Sequence, residues 1–301
     1  MKPLQRLTIL GLGLIGGSLA AALKQRGLVA ETLAWGRREA SLARGRELGV
    51  IDGYSLDLAT AVAGADLVVV ATPTRTVEAV LAELGPLLQQ PGQAHTLVTD
   101  VASVKGNVVA AAAALGPARS RFVPGHPIAG SERSGIAAAR PDLFRGHRVI
   151  LTPTEATDPA AAEWVETLWR QTGAEVVTMG VEEHDAVLAA TSHLPHLLAY
   201  SLVDTLASSS RGEAVFRYAA GGFRDFTRIA SSDPVMWRDI ALANRRALLA
   251  ALTDFNHHLA ELQRAVEAGD GDHLMAVFER AKAARDRFAS QMQPSATMSQ
   301  E

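Results

Sequence analysis

A histidine fixed between glycines and a proline is the first group in this chain with the makings of a reaction centre. Residues 121–136 read Arg-Phe-Val-Pro-Gly-His-Pro-Ile-Ala-Gly-Ser-Glu-Arg-Ser-Gly-Ile. Pro127 biases His126 towards an extended backbone and removes a backbone donor, and Gly125 and Gly130 allow a turn on either side. His126 is therefore expected at the end of a strand, in a loop that holds its side chain. Imidazole is the side chain whose ordinary pKa lies near neutrality, which suits proton transfer. Taken alone, a histidine in a turn reads equally well as a polar loop residue.

Three other segments carry groups of the same kind. Asp100-Val-Ala-Ser103-Val-Lys105 closes an apolar run, which places Ser103 at the carboxyl end of a parallel strand, where crevice ligands bind. His126 follows the next strand, so the two converge. Ser103 also reads as a helix N-cap ahead of Val104, and Lys105 as cover on that helix's surface. In Ser192-His193-Leu194-Pro195-His196 the proline is expected to kink a helix, and the two histidines share a face. His184 lies too far along to complete a metal site with them, so no metal is assigned and a substrate-facing histidine is the stronger reading. After Gly221-Gly222 come Arg224, Asp225 and Arg228. Their guanidinium groups suit bidentate carboxylate recognition, with a surface ion pair to Asp225 as the alternative.

The elements that must position these groups follow from the apolar pattern. Strands are expected at 6–10, 31–36, 66–72, 96–101, 148–151 and 175–179. Helices are expected after Ser18, over 37–48, over 104–115 and over 159–172. This alternation is that of an α/β, doubly wound Rossmann-type parallel sheet. From Glu182 no strand is evident; helical segments follow one another, broken near 208–212, 221–222, 233–234 and 269–271. The expected organisation is a dinucleotide-binding domain over 1–180, an all-helical substrate and dimerisation domain over 181–292, and a flexible tail over 293–301. The 301 residues, 48% hydrophobic, allow two domains and a large core. A net charge of −3 without a long basic run argues against nucleic acid. The absence of cysteine excludes disulfides and thiolate metal sites and fits a reducing cytoplasm. Four glycines between residues 11 and 17 argue against an N-terminal signal helix, and no stretch reads as membrane-spanning.

Gly11-Leu-Gly13-Leu14-Ile15-Gly16 follows a strand and opens a helix. Gly11 makes the tight turn, Gly13 lets a pyrophosphate approach, and Gly16 lets helix and strand pack. An NAD site calls for an acid at the end of the second strand, where this chain has Trp35-Gly36-Arg37-Arg38. Gly36 leaves room for a 2′-phosphate that Arg37 and Arg38 can pair, so NADP is expected. In the alternative reading the arginines begin a solvated helix face, Glu39 reaches the ribose, and NAD is the cofactor. Thr72 and Pro73, after the Leu-Val-Val-Val run, are expected on the nicotinamide side.

Together these motifs resemble the prephenate/arogenate dehydrogenases of tyrosine biosynthesis. The resemblance rests on Gly-Leu-Gly-Leu-Ile-Gly-Gly-Ser at 11–18, Asp-x-x-Ser-Val-Lys at 100–105, Gly-His-Pro-Ile-Ala-Gly-Ser-Glu at 125–132, Ser-His-Leu-Pro-His at 192–196, Gly-Phe-Arg-Asp-Phe-Thr-Arg at 222–228 and Asp-Pro-x-Met-Trp at 233–237. It implies oxidative decarboxylation of a cyclohexadienol acid with hydride transfer to a nicotinamide. It implies His126 as the catalytic histidine, Ser103 as the serine that positions it and the ring hydroxyl, Arg228 as the carboxylate partner and His196 as a second pocket histidine. Glu132 and Asp225 correspond to acidic pocket residues, and Gly221 is counted with the substrate-binding set. It also implies a homodimer formed by the helical domain, with the active site between domains. Arogenate with NADP is slightly favoured, through Asp225 and Arg37. The rivals are another two-domain Rossmann oxidoreductase, of the β-hydroxyacid dehydrogenase or imine reductase type, and a non-catalytic NADP sensor.

Overall fold

The computed structural model describes residues 2–131, 133–209 and 212–292. In chain order the strands are β1 (Leu4–Leu10), β2 (Val29–Trp35), β3 (Gly53–Ser55), β4 (Leu67–Val70), β5 (Leu97–Asp100), β6 (Phe122–Val123), β7 (Gly125–Pro127), β8 (Arg148–Leu151) and β9 (Glu175–Thr178). The helices are α1 (Leu14–Gln25), α2 (Glu39–Glu47), α3 (Leu58–Val62), α4 (Val77–Leu88), α5 (Gly106–Ala111), α6 (Pro159–Gln171), α7 (Val181–Leu188), α8 (Leu194–Ala207), α9 (Gly212–Arg217), α10 (Gly221–Thr227), α11 (Pro234–Ala243), α12 (Arg245–Ala268) and α13 (Gly271–Met292).

Six strands form one parallel sheet in the order β3-β2-β1-β4-β5-β6. Leu67, Val68, Val69 and Val70 of β4 are all fully buried, as a central parallel strand covered on both faces requires. One apolar layer under the sheet gathers Leu7, Ile9, Leu19, Leu23 and Trp169; the other gathers Leu10, Val68, Leu81, Leu84 and Phe122. The strand order reverses between β1 and β4, which opens a crevice at their carboxyl ends.

The Rossmann-type fold is as expected, but the last two strands of that expectation lie elsewhere. Residues 148–151 and 175–178 form a separate three-stranded sheet, β7-β8-β9, in which β7 runs antiparallel to β8. The chain changes sheets at Pro124, so His126 sits inside a strand, opposite Ile150, rather than in a loop. The helix expected over 104–115 is also shorter. It spans Gly106–Ala111 and continues as a 3₁₀ stretch to Arg121, broken where Gly116 takes φ +56° ahead of Pro117.

Gly221 and Gly222, expected as a break, are instead the first two residues of α10, and the expected break at 208–212 includes residues outside the described ones. Asp233 caps α11, accepting from the N–H groups of Val235 and Met236, with Pro234 in the first turn. Val181–Ala207 forms one helical run, long and apolar enough by length and composition to cross a membrane, which corrects the sequence expectation of no such stretch. The packing forms two compact units, Met1–Leu248 and Leu249–Glu301. The change to all-helical structure near Gly180 is therefore a change of element type, not a gap in packing. Within the second unit, α13 follows Gly269 (φ +67°) and carries exposed Met275, Phe278 and Phe288. The tail over 293–301 lies outside the described residues.

Candidate active site

The glycine turn can be tested position by position. Gly11 has φ +100°, and a Cβ there would meet the Ala71 carbonyl oxygen at 2.6 Å. A Cβ on Gly16 would lie 2.7 Å from the Gly11 oxygen and 2.8 Å from Ile9 Cγ2, so glycine is needed for α1 to pack on β1. Over Gly13 there is nothing within 4 Å. Leu14 and Ile15 open α1, which has no side-chain cap and no acid in its first turn. Its N–H groups are therefore left for an anion. Across the crevice, Thr72 Oγ1 is buried without a partner among the described residues, and Pro73 precedes the 3₁₀ turn Thr74–Thr76. Open space, uncapped N–H groups and an orphaned hydroxyl fit a dinucleotide.

At the end of β2, Arg37 and Arg38 are exposed and Arg38 is the N-cap of α2, which begins at Glu39. Glu39 accepts a hydrogen bond from the Tyr54 hydroxyl at 3.3 Å. A Cβ on Gly36 would meet only Leu42, at 3.6 Å, an ordinary contact. Glycine there is not demanded by packing.

His126 stands at the centre of a buried polar network that sequence reasoning missed. Its Nδ1 lies 2.9 Å from His184 Nε2, and His184 Nδ1 lies 2.8 Å from Asp185 Oδ1. The Asp185 carboxylate also accepts from the backbone N–H groups of Lys105 and Gly106, each at 2.8 Å. The Asp185 carbonyl accepts from Asn244 Nδ2 at 2.8 Å, and Asn244 Nδ2 lies 3.0 Å from His193 Nδ1. The acid that caps α5 is thus Asp185 and not Ser103, which is half-buried and has no hydrogen bond among the described residues.

Lys105 does not cover a helix surface. Its side chain is 0% exposed; Nζ pairs with Asp100 and donates to the Gly125 carbonyl at 2.6 Å. Asp100 in turn accepts from Gly125 N–H at 3.1 Å and Ala102 N–H at 2.9 Å. Gly125, the residue before His126, is therefore held at both its N–H and its carbonyl. A Cβ on Gly125 would crowd the Asp100 carbonyl at 3.1 Å, so glycine here serves close approach rather than a turn.

Ala189–His193 is a π-helical turn between α7 and α8, with Pro195 in the first turn of α8. Pro195 cannot donate to the preceding turn, and the π-helical turn just ahead of it is the local break in the regular helix. His196 then stacks on Trp237, ring centroids 3.4 Å apart, while its Nδ1 lies 2.8 Å from the Ser192 carbonyl. His193 meets the same indole edge-on at 6.1 Å. Trp237 Nε1 is buried without a partner among the described residues. Arg228 is exposed and opens the 3₁₀ turn Arg228–Ser231; the next residue, Ser232, accepts from the Tyr200 hydroxyl of α8 at 2.6 Å. Asp225 is exposed and paired with Arg224 at 3.2 Å, and Gly221 is an exposed first residue of α10. Glu132 lies outside the described residues. No cluster of three metal-ligating side chains occurs among the described residues.

Burial, and then the neighbouring His184, Lys105 and His193, hold the His126 imidazole well below its ordinary value. Burial likewise lowers His193 to about 4, against the pull of Asp185. Both rings are neutral near pH 7 in the folded state, whereas in the unfolded chain they protonate near 6.5. Acid must therefore destabilise the fold from about pH 6.5 downward. Between 6.5 and about 4, His193 alone removes about 3 kcal/mol. Denaturant melts on either side of this window check it, and a His193→Asn variant is expected to have a shallower acid loss. Equal stability at both ends would contradict the buried, neutral assignment.

A six-stranded parallel sheet with this glycine turn at its switch point defines a Rossmann-type dinucleotide-binding protein, here joined to a helical region through a histidine–aspartate network. The prephenate dehydrogenase nucleotide-binding domain family matches residues 19–178, and the prephenate dehydrogenase dimerization domain family matches residues 180–280. The chain is 41% identical over 277 residues to the prephenate dehydrogenase of Bacillus subtilis, covering 92% of this chain and 74% of that one. It is 37% identical over 287 residues to the cyclohexadienyl dehydrogenase of Zymomonas mobilis, covering 95% and 96%. The crystal structure of prephenate dehydrogenase from A. aeolicus with hydroxyphenyl propionate and NAD+ superposes with a TM-score of 0.88 at 36% identity, covering 94% and 98%. The chain belongs to the prephenate dehydrogenase family.

Proposed function

We propose that this protein catalyses the oxidative decarboxylation of prephenate or arogenate, giving 4-hydroxyphenylpyruvate or tyrosine. The observation that carries this reading is the buried His126, neutral near pH 7 and held at one ring nitrogen beside the strand carboxyl ends. A bound nicotinamide supplies the acceptor for the hydride leaving the carbinol carbon. His126 takes the hydroxyl proton, the bond to the ring carboxylate breaks, and its electron pair enters the ring as CO2 leaves. The proton returns to the ring oxygen, which ends as a phenol. Aromatisation drives the step, so the side chains mainly orient and move one proton. Ser103 positions the hydroxyl, Arg228 binds a carboxylate, and His196, Glu132, Asp225 and Gly221 line the substrate. Gly11, Gly13, Leu14, Ile15 and Gly16 hold the pyrophosphate, with Thr72 and Pro73 on the nicotinamide side.

NADP is the preferred cofactor in this reading. It is supported by Gly36 with exposed Arg37 and Arg38, and by the engagement of Glu39 with Tyr54. Replacing both arginines by alanine is expected to raise the KM for NADP by about tenfold to a hundredfold and leave that for NAD unchanged. Arogenate is slightly favoured, with Asp225 facing its ammonium group. Arg228→Ala is expected to raise the substrate KM at least about tenfold with little change in cofactor affinity; an unchanged KM removes the carboxylate role. Initial rates with each substrate paired with each cofactor test the selection. A clear preference for prephenate with NAD would overturn the roles of Arg37 and Asp225 while leaving His126 in place.

The working form is a cytoplasmic homodimer in which residues 1–180 bind the nucleotide and 181–292 supply the substrate pocket and the interface. The match to a dimerization domain and the exposed Leu242, Leu249, Leu259 and Val266 support it.

A further inference from the structure

The direction of every proton in the His126 network follows from its far end. Asp185 has no proton to give. Burial alone would raise its carboxyl, but the His184 ring and the Lys105 and Gly106 N–H groups hold it below its ordinary value. An ionised carboxylate accepts only, so His184 must carry its proton on Nδ1, facing Asp185 Oδ1. With one proton on the ring, at Nδ1, His184 has a lone pair at Nε2. It faces His126 Nδ1 at 2.9 Å, so that nitrogen must be the donor. His126 Nε2 is left as the basic nitrogen, with no hydrogen bond among the described residues.

We propose that His184 and Asp185 are positioning residues that keep the His126 proton on Nδ1 and present Nε2 as the acceptor for the substrate hydroxyl. This rests on the reading of His126 as the proton acceptor. The groups around His126 are consistent with it. Asp100, at the end of β5, and Lys105, in the segment after it, are committed to each other and to Gly125. His193 faces Asn244, and Asp185 is reached only through His184. None of these offers His126 Nδ1 a competing donor.

Gly106 is built for the same purpose. A Cβ there would lie 2.9 Å from Asp185 Oδ2, so any larger residue displaces the carboxylate. One carboxylate thus caps α5 and sets a tautomer two rings away. Its position on α7, 80 residues from Lys105, makes the network dependent on the helical region docking against the strand ends.

The test is Asp185→Asn. Its amide oxygen, at the Oδ2 position, keeps the Gly106 N–H, while its NH2 takes the Oδ1 position towards His184 Nδ1 and gives up the bond from the Lys105 N–H. The whole chain of protons then reverses and places the His126 proton on Nε2. The loss in kcat is expected to be about a hundredfold to ten-thousandfold, the upper figure being the loss when the aspartate behind the histidine of a serine-protease triad becomes asparagine. Substrate KM and cofactor affinity should change little. Nitrogen NMR of isotope-labelled histidine reads the tautomer directly: His126 protonated at Nδ1 in the native protein, at Nε2 in Asp185→Asn. Gly106→Ala, which instead displaces the Asp185 carboxylate, is expected to lose about tenfold to a hundredfold in kcat. A native His126 protonated at Nε2, or an unchanged tautomer and rate in both variants, overturns the proposal. Failure of the functional reading is distinguishable, because it shows as an unchanged rate in His126→Asn whatever the tautomer.

Discussion

Replacing His126 by asparagine is expected to lower kcat by about a hundredfold to ten-thousandfold, the usual contribution of a positioned acid–base group. Asparagine roughly matches the reach of Nδ1 and can still meet His184, but it has no basic nitrogen to take a proton. Cofactor affinity should stay within about twofold, because the glycine turn and Thr72 are built from other elements. Steady-state rates and nucleotide fluorescence titration separate the two effects. A variant that kept the native kcat would remove His126 from proton handling.

The second large effect concerns Lys105. Its ammonium is fully buried and tied to Asp100 and the Gly125 carbonyl. Lys105→Met leaves Asp100 buried with only the Ala102 and Gly125 N–H groups to support its charge. Breaking a buried pair by removing one partner costs about 3–5 kcal/mol, so a loss near the lower end is expected in denaturant melts. The rate should fall as well, because the Gly125 peptide that orients His126 loses one of its two anchors. Adding Asp100→Asn removes the stranded charge and is expected to recover part of the stability but not the rate. A destabilisation below about 1 kcal/mol in the single variant would mean that the pair is not an ion pair in the folded protein.

These two side chains show what the sequence discloses and what it hides. The strand–turn–helix of residues 4–25 is written locally, in an apolar run followed by Gly11 and Gly16, whose backbone angle or close contacts demand glycine. The starts of α11 and α13 are equally local, set by the Asp233 cap and by Gly269 at φ +67°. His126 stands out because Pro127 and Gly125 flank it. Lys105 does not, since a lysine beside a helix start is ordinarily solvated, and its buried partner Asp100 is five residues back on a strand that only the sheet makes interior. His184 and Asp185 were beyond reach for a related reason. His184 lies 58 residues from His126, and its partnership exists only once α7 docks on the segment after β5. The adjacent His-Asp pair on α7, with a glycine at position 106, was the available signal. The separate sheet β7-β8-β9 was hidden because β8 and β9 have the same apolar pattern as parallel strands; only the pairing of β7 with β8 distinguishes them.

The central claim is that one active site couples hydride removal to loss of CO2. It is tested by supplying the protein with prephenate or arogenate and a nicotinamide nucleotide, and counting reduced nucleotide and CO2 in the same reaction. The account predicts one CO2 for each nucleotide reduced, with an aromatic product, and loss of both in His126→Asn. Reduction of the nucleotide without CO2 release, or no turnover of either cyclohexadienol with either nucleotide, would contradict it.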